Sequence, residues 1–289
     1  MSGNFDRRWI YVAMMLAVAL PILWNGVTGK TFPESPTPPS QACFDVIQSL
    51  PEGSRVLVSF DYDPASEGEL APMATSFMRH LMHRRLKPVM VSLWPLGPKK
   101  AEETITNVIK AEFPDRTSGK DFVNLGFQTG NEGVLKVIGT DFRKQFPVDR
   151  SGTPVDRLPI MEGIAKVGDF PLVITISAGY PGGKEWVQYV SSSNPGLVLL
   201  AGVTGVQASQ VYSYYPGQLR GMLAAIKGAA EYEALVSAAI DGAGVTPPRY
   251  AEARRRMAPQ LFGHLLLIGL IVLGNAMFFA QKRCKAVAR

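Results

Sequence analysis

Residues 172–183 read LVITISAGYPGG, an apolar run followed by a glycine-rich turn. The first six residues are almost all apolar or β-branched, which is typical of a strand buried on both faces of a parallel sheet. Four further runs have the same character: 56–60 (VLVSF), 89–93 (VMVSL), 122–127 (FVNLGF) and 197–203 (LVLLAGV). Helical patterns lie between or after these runs, at 69–85, 98–113, 133–146, 183–192 and 216–239. This alternation predicts an α/β fold with a doubly wound, mostly parallel sheet of about five strands.

Two apolar segments flank the predicted domain. Residues 9–24 read WIYVAMMLAVALPILW, and residues 261–280 read LFGHLLLIGLIVLGNAMFFA, in which only His264 and Asn275 are polar. Segments of this length and composition predict transmembrane helices, at 9–27 and 261–281. A cleaved signal peptide is the alternative for the first segment. It lacks a cleavage site of small residues, which favours an uncleaved signal anchor.

The chain is therefore predicted to consist of seven parts. These are a basic tail (1–8), the first span (9–27), a Pro-rich linker (28–42), the α/β domain (43–248), a juxtamembrane segment (249–260), the second span (261–281) and a basic tail (282–289). Two spans place both termini on the same side of the membrane. Because Arg7 and Arg8 precede the first span, we expect cytoplasmic termini and an extracytoplasmic domain.

The distribution of charge indicates a membrane rather than a nucleic acid as the basic segments' partner. The net charge is +6, yet residues 31–248 hold 19 Lys/Arg against 22 Asp/Glu. The excess of basic residues therefore lies beside the apolar segments, where it meets the headgroups of membrane lipid. Nucleic-acid binding would need a basic patch on the domain itself. The two cysteines, Cys43 and Cys284, lie in regions separated by a span and predict no disulfide.

Polar and glycine residues follow nearly every predicted strand. In a parallel sheet the carboxyl ends of the strands share one edge, where ligands usually bind. The candidate ligand-binding residues at this edge are Asp61, Asp63, Ser92, Thr129, Asn131, Ser177, Gly179, Gly182 and Thr204.

The first of these turns resembles a known motif. VSFDYDP, residues 58–64, resembles the first motif of haloacid-dehalogenase-type phosphatases, an apolar strand followed by D-x-D, and Ser92 ends the second strand where that family keeps Ser or Thr. The resemblance implies a Mg²⁺-dependent phosphohydrolase that uses Asp61 and Asp63. It covers about ten residues, and the acidic motif that the family carries after its fourth strand is absent. The other interpretation is that these carboxylates begin a helix, where its dipole stabilises them.

No other pattern in the sequence predicts catalysis. There is no G-x-G-x-x-G after the first strand, no G-x-S-x-G, no C-x-x-C and no H-E-x-x-H. This favours a non-catalytic protein, without a cofactor, over an enzyme. We therefore expect a membrane-tethered α/β module that binds a partner protein or a small ligand within a larger envelope assembly. The partner is expected to be a membrane or envelope protein, or a second copy of the chain.

A row of small residues suggests where such a partner binds. Gly217, Gly221, Ala224 and Gly228 are spaced four, three and four residues apart in the predicted helix 216–239. On a helix they would form one stripe, which lets another backbone approach closely. The sequence leaves two occupants open, the domain's own sheet and the same helix of a second copy.

Overall fold

The structure is a computed structural model that describes residues 7–242 and 250–287. The chain divides into two compact units. One is the α/β domain, Glu34–Ala253, and the other combines the terminal segments, Met1–Pro33 and Arg254–Arg289.

The sheet of the domain has six strands, all parallel. They are β1 (Arg55–Asp61), β2 (Lys87–Ser92), β3 (Val123–Phe127), β4 (Leu172–Ser177), β5 (Val198–Val203) and β6 (Gly221–Ala224). Their order across the sheet is β3-β2-β1-β4-β5-β6. This is the order of a doubly wound sheet, in which the chain builds one half outward from β1 and the other half outward from β4. The predicted fold class is confirmed, with one strand more than expected.

Helices precede β1, connect successive strands and follow β6. They are α1 (Arg7–Thr28), α2 (Pro38–Ser49), α3 (Glu67–His83), α4 (Gly97–Thr104), α5 (Lys110–Glu112), α6 (Glu132–Ile138), α7 (Phe142–Gln145), α8 (Gly183–Glu185), α9 (Gly205–Val211), α10 (Ala225–Asp241) and α11 (Glu252–Val287). A π-helical turn, Ile105–Ile109, joins α4 to α5, and another, Trp186–Ser191, continues α8.

Both faces of the sheet are buried, as its uninterrupted apolar strands require. Every residue of β4 is buried. Helices α2, α3 and α10 pack together over one face. On the other face, alternate strand residues such as Leu57 and Val173 belong to one apolar cluster with Phe142, Ile160 and Trp186. Because side chains alternate along a strand, Ser59 and Asp61 point to the same face as Leu57.

The predicted helix 216–239 is wrong over its first part, where the chain forms β6. Helix α10 begins only at Ala225, whose φ of 54° marks the sharp junction. The strand is short and lacks β-branched residues, so its sequence, GMLA, resembles a helix. Helix α2 lies close against it, because a Cβ on Gly221 would come within 2.8 Å of the Cys43 amide nitrogen.

The small-residue stripe is wrong for the same reason. Gly217 precedes β6, Gly221 and Ala224 belong to it, and Gly228 lies in α10. The four residues therefore share no helical face. Gly228 packs on β6, since a Cβ there would lie 2.8 Å from the Cα of Leu223.

The Pro-rich segment is extended only as far as Thr37. Pro38 begins α2, and the residues before it contact the domain. The Lys227 Nζ lies 2.6 Å from a carboxylate oxygen of Glu34, and the backbone amide of Thr37 donates a hydrogen bond to Glu231 (3.0 Å). The compact domain thus begins at Glu34, earlier than the expected residue 43.

The terminal unit contains α1 and all but the first two residues of α11. Both contain segments long and apolar enough to cross a membrane, Arg8–Thr28 with a mean hydropathy of 1.9 and Glu252–Ala280 with 2.1. The two helices run antiparallel. The Asn25 side-chain amide donates a hydrogen bond to the Arg255 carbonyl (3.0 Å), and seven residues earlier Val18 faces Gly263.

Candidate functional site

The carboxyl edge of the sheet contains the topological switch point of the fold. Strands β1 and β4 are neighbours here, and their connections lead to opposite halves of the sheet. Ligands of doubly wound proteins usually bind at this point. Asp61 ends β1 and lies opposite Ser177, which ends β4.

Asp61 is fully buried at this point and accepts three hydrogen bonds. Its carboxylate lies 2.6 Å from the Ser59 hydroxyl, 2.7 Å from the Leu93 backbone amide and 3.3 Å from the Trp186 indole nitrogen. Burial raises the pKa of Asp61 to about 7, although the three hydrogen bonds oppose the shift. The carboxyl group therefore holds the turn after β2 and the π-helical turn against β1.

Asp63 has a separate role from Asp61. Its carboxylate caps the 3₁₀ turn Pro64–Ser66 by accepting a hydrogen bond from the Ala65 amide (3.1 Å). Such a contact at a helix start agrees with the capping interpretation of the acidic turn. Within residues 7–242 and 250–287 no three His, Cys, Asp or Glu side chains come close enough to hold a metal ion. The geometry therefore gives the Mg²⁺ alternative no converging ligand set.

The glycine-rich turn after β4 is folded onto its own polar groups. The Gly183 amide donates to the Ser177 hydroxyl (2.9 Å), and the Gly182 amide donates to the Glu185 carboxylate (2.9 Å). A Cβ on Gly182 would lie 2.3 Å from the Gly179 carbonyl oxygen, so only glycine fits there. Both amides therefore have partners within the chain.

Hydrogen bonds also join neighbouring turns into one continuous rim. The Trp94 indole nitrogen of the β2 turn donates to the Pro181 carbonyl of the β4 turn (2.9 Å). The side-chain nitrogen of Gln207, in α9, donates to the Gly179 carbonyl (2.5 Å), and the side-chain oxygen of Gln207 accepts from the Ser177 hydroxyl (3.1 Å).

The remaining candidate residues are distributed unevenly along the rim. Ser92 is buried, its hydroxyl 2.6 Å from the Phe60 carbonyl, and Thr204 caps the start of α9. Thr129 and Asn131 are exposed in the turn after β3. That turn reaches the switch point through Glu132, whose carboxylate accepts a hydrogen bond from the Tyr180 hydroxyl. The structure thus brings Asp61, Ser92, Ser177, Gly179 and Gly182 together and leaves Thr129 and Asn131 at the periphery.

The sequence predicted no role at the site for Trp94, Trp186 or Gln207, although all three hold the rim together. Trp186 lies in a helical stretch that looks like ordinary core. The sequence does contain a pattern that indicates a helix start that includes Gln207, because Thr204-Gly-Val-Gln207 matches a capping box. The Thr204 hydroxyl does accept a long hydrogen bond from the backbone amide of Gln207 (3.4 Å). The Gln207 side chain, however, binds the β4 turn.

Exposed hydrophobic side chains lie along this rim. Among the described residues of the domain, the exposed large hydrophobic side chains are Leu96, Val148, Tyr180, Val206 and Tyr212. Leu96 and Tyr180 belong to the connections that directly follow β2 and β4, Val206 lies in the first turn of α9 just after β5, and Tyr212 follows the end of α9. Val206 is 81% exposed. Val148 lies apart from the rim, in a bridge beside β3. We call Leu96, Tyr180, Val206 and Tyr212 the apolar rim.

Comparison with known proteins adds no family to this description. No family model, no curated protein and no solved structure matches the chain.

Proposed function

We propose that this chain is a membrane-anchored α/β module that binds a protein partner through its apolar rim, without catalysis, within a larger envelope assembly. One observation carries the proposal. Three of the five exposed large hydrophobic side chains in the described part of the domain, Leu96, Tyr180 and Val206, follow the carboxyl ends of β2, β4 and β5, whereas the Asp61 carboxylate and the Gly183 amide at that edge are bonded internally.

Catalysis needs polar groups that are open to a substrate. Asp61, the carboxylate best placed for it, is fully buried and bonded to three groups of the protein. A protein partner needs the opposite arrangement, a firm surface with aromatic and aliphatic side chains that it can bury. Tyr180 meets that need on a turn that is held by Trp94 and Gln207, and Val206 meets it in the first turn of α9.

We further propose that α1 and α11 cross the membrane and that the domain is extracytoplasmic. The arginine pair before the first span and the basic residues after the second support cytoplasmic termini. The antiparallel packing of α1 on α11 is compatible with two spans that run in opposite directions.

Partner binding can be tested with a photo-crosslinking amino acid placed at single positions of the full-length protein in its native membrane. From Val206 we expect a discrete crosslinked product with a second protein. From Val148, which is exposed and apolar but lies off the rim, we expect none. Val206→Asp, introduced together with a crosslinker at Tyr180, should reduce the product about tenfold, because the partner would have to bury a charge.

Circular dichroism of the Val206→Asp variant provides the control for its fold. An equal yield of products from Val148 and Val206, or none from Val206, would contradict binding through the apolar rim.

The orientation is tested by labelling with a membrane-impermeant thiol reagent. Native Cys43 is fully buried and cannot report, so Ser151, which is exposed, is changed to cysteine in a Cys43→Ala background. We expect Ser151→Cys to be labelled in intact cells and Cys284 to be labelled only after lysis. The reverse pattern would place the domain in the cytoplasm.

A further inference from the structure

Helix α11 carries two polar side chains inside its apolar stretch, and both lie on the same face. His264 and Asn275 are the only polar residues of 261–280 and are 11 residues apart. At 3.6 residues per turn this separation is close to three full turns. Both side chains are exposed.

The residues between them complete a regular seam. Ile268, Ile271 and Phe278 join His264 and Asn275 at alternating spacings of four and three. This is the spacing of the a and d positions of a heptad, and it places Asn275 and Ile268 at a and the other three at d. The three apolar members are about 60% exposed, Ile268 at 58%, Ile271 at 63% and Phe278 at 61%.

Helix α1 packs on a different side of α11. The less exposed residues of this part of α11 are Gly263, Leu266 and Leu270, which lie roughly opposite the seam at about 100° per residue. A Cβ on Gly263 would contact Val18 of α1 at 3.9 Å. No described residue of α1 therefore fills the seam.

The hydrogen-bonding capacity of Asn275 indicates what covers the seam. Its side-chain amide donates to the Ile271 carbonyl of its own helix (2.8 Å), and its carbonyl oxygen makes no further bond within the described residues. In hydrocarbon an unmatched amide group is costly, and a lipid chain supplies no hydrogen bond. An asparagine is self-complementary, since it carries both donors and an acceptor.

We propose that α11 pairs in parallel with α11 of a second copy along the seam His264, Ile268, Ile271, Asn275 and Phe278. This inference rests on the proposed insertion of α11 in the membrane. A two-fold axis along the membrane normal brings the two Asn275 amides to the same depth, where each donates to the other. An asparagine at an a position favours that register over its neighbours.

The first test is disulfide crosslinking of the full-length protein in its native membrane. Ile271→Cys and Leu273→Cys are made in a background in which Cys43 and Cys284 are alanine. Leu273 is similarly exposed but lies on the opposite side of the helix. Under mild oxidation we expect a homodimer from Ile271→Cys at least tenfold in excess of that from Leu273→Cys. Equal yields, or a crosslink from Ile271→Cys to a different protein only, would overturn the proposal.

The second test measures the contribution of Asn275. The purified protein is reconstituted in vesicles of phosphatidylcholine and phosphatidylglycerol, and its dimer fraction is followed as the protein is diluted with lipid. Asn275→Leu should weaken the dimer roughly three- to tenfold, and Asn275→Gln should weaken it less, since the amide remains. An unchanged dimer in Asn275→Leu would overturn the role of the amide. Resistance to alkaline extraction, measured on the same variants, reports insertion separately, so a failure of pairing is distinguishable from a failure to enter the membrane.

Discussion

Replacing Arg79 by methionine is expected to lower the free energy of unfolding of the α/β domain by roughly 3–5 kcal/mol. Arg79 is 2% exposed and joins the ends of two helical segments. Its guanidinium binds Glu112 at 3.0 Å and makes two bonds with Asp241, of 2.8 and 3.0 Å. The central carbon of its guanidinium group lies over the Tyr250 ring, 4.4 Å from the ring centre. Methionine would leave the two carboxylates near each other, poorly hydrated and without a cation.

Two variants separate this effect from a general loss of positive charge. Arg85→Met removes an exposed ion pair with Glu52 and should cost about 0–1 kcal/mol. Arg79→Met combined with Glu112→Gln and Asp241→Asn removes the unpaired charges and should recover most of the loss. Urea unfolding of the full-length protein in detergent micelles, followed by near-UV circular dichroism, measures all of them. A loss for Arg79→Met no larger than that for Arg85→Met would contradict the burial of this cluster.

Much of the sheet was predictable from local composition. Five strands were located to within about two residues, because a strand buried on both faces must be apolar at consecutive positions. LVITIS is the clearest case, since prediction and structure agree at both ends. The predicted starts of the helices after β1 to β4, at 69, 98, 133 and 183, were also within about two residues of the observed starts, whereas α9 was not predicted.

The sixth strand was not predictable from composition, because its conformation depends on tertiary contacts. Gly221 and Ala224 have low intrinsic strand propensity, and the segment runs directly into a good helix sequence. Pairing with β5 and the close approach of α2 determine the conformation. The predicted helical stripe is therefore wrong, and its glycines serve two other contacts: Gly221 lets α2 approach β6, and Gly228 lets α10 approach β6.

For the candidate site, the sequence predicted the edge of the sheet but not the roles of its residues. Polar residues after each strand were correctly expected at one edge. Whether Asp61 faces a ligand or the interior depends on Leu93 and Trp186, which lie 32 and 125 residues further along the chain. No local pattern encodes such contacts.

The buried carboxyl group of Asp61 is expected to make the stability of the domain depend on pH. The pKa is 3.8 for the reference aspartate and about 7 for Asp61 in the folded domain, where burial disfavours the charge. The folded state therefore binds the proton more tightly than the unfolded state. The stabilisation by this group is complete below pH 3.8, is lost as the pH rises to about 7, and stays absent above it. At ~1.4 kcal/mol per pKa unit, the loss amounts to about 4 kcal/mol.

Asp61→Asn should remove this dependence, because an amide stays neutral across the range. At pH 4 the variant should be less stable than the native protein by about 1–3 kcal/mol, since its NH₂ group would face the Trp186 indole N–H and leave that donor unpaired. At pH 8 the order should reverse, because the native protein then buries a carboxylate and the variant does not. The sign change between the two pH values is the distinguishing result.

Asp63→Asn is the matched control for this experiment. Asparagine caps a helix as well as aspartate does, so this variant should keep both the stability and the pH profile of the native protein. The measurement is the free energy of unfolding in urea at pH 4, 6 and 8, for the full-length protein in micelles. If Asp61→Asn and Asp63→Asn had parallel profiles, another group would carry the pH dependence. Asp61 would then be ionised without cost, which would require a site open to water or to a cation and would return the acidic turn to consideration as a ligand-binding site.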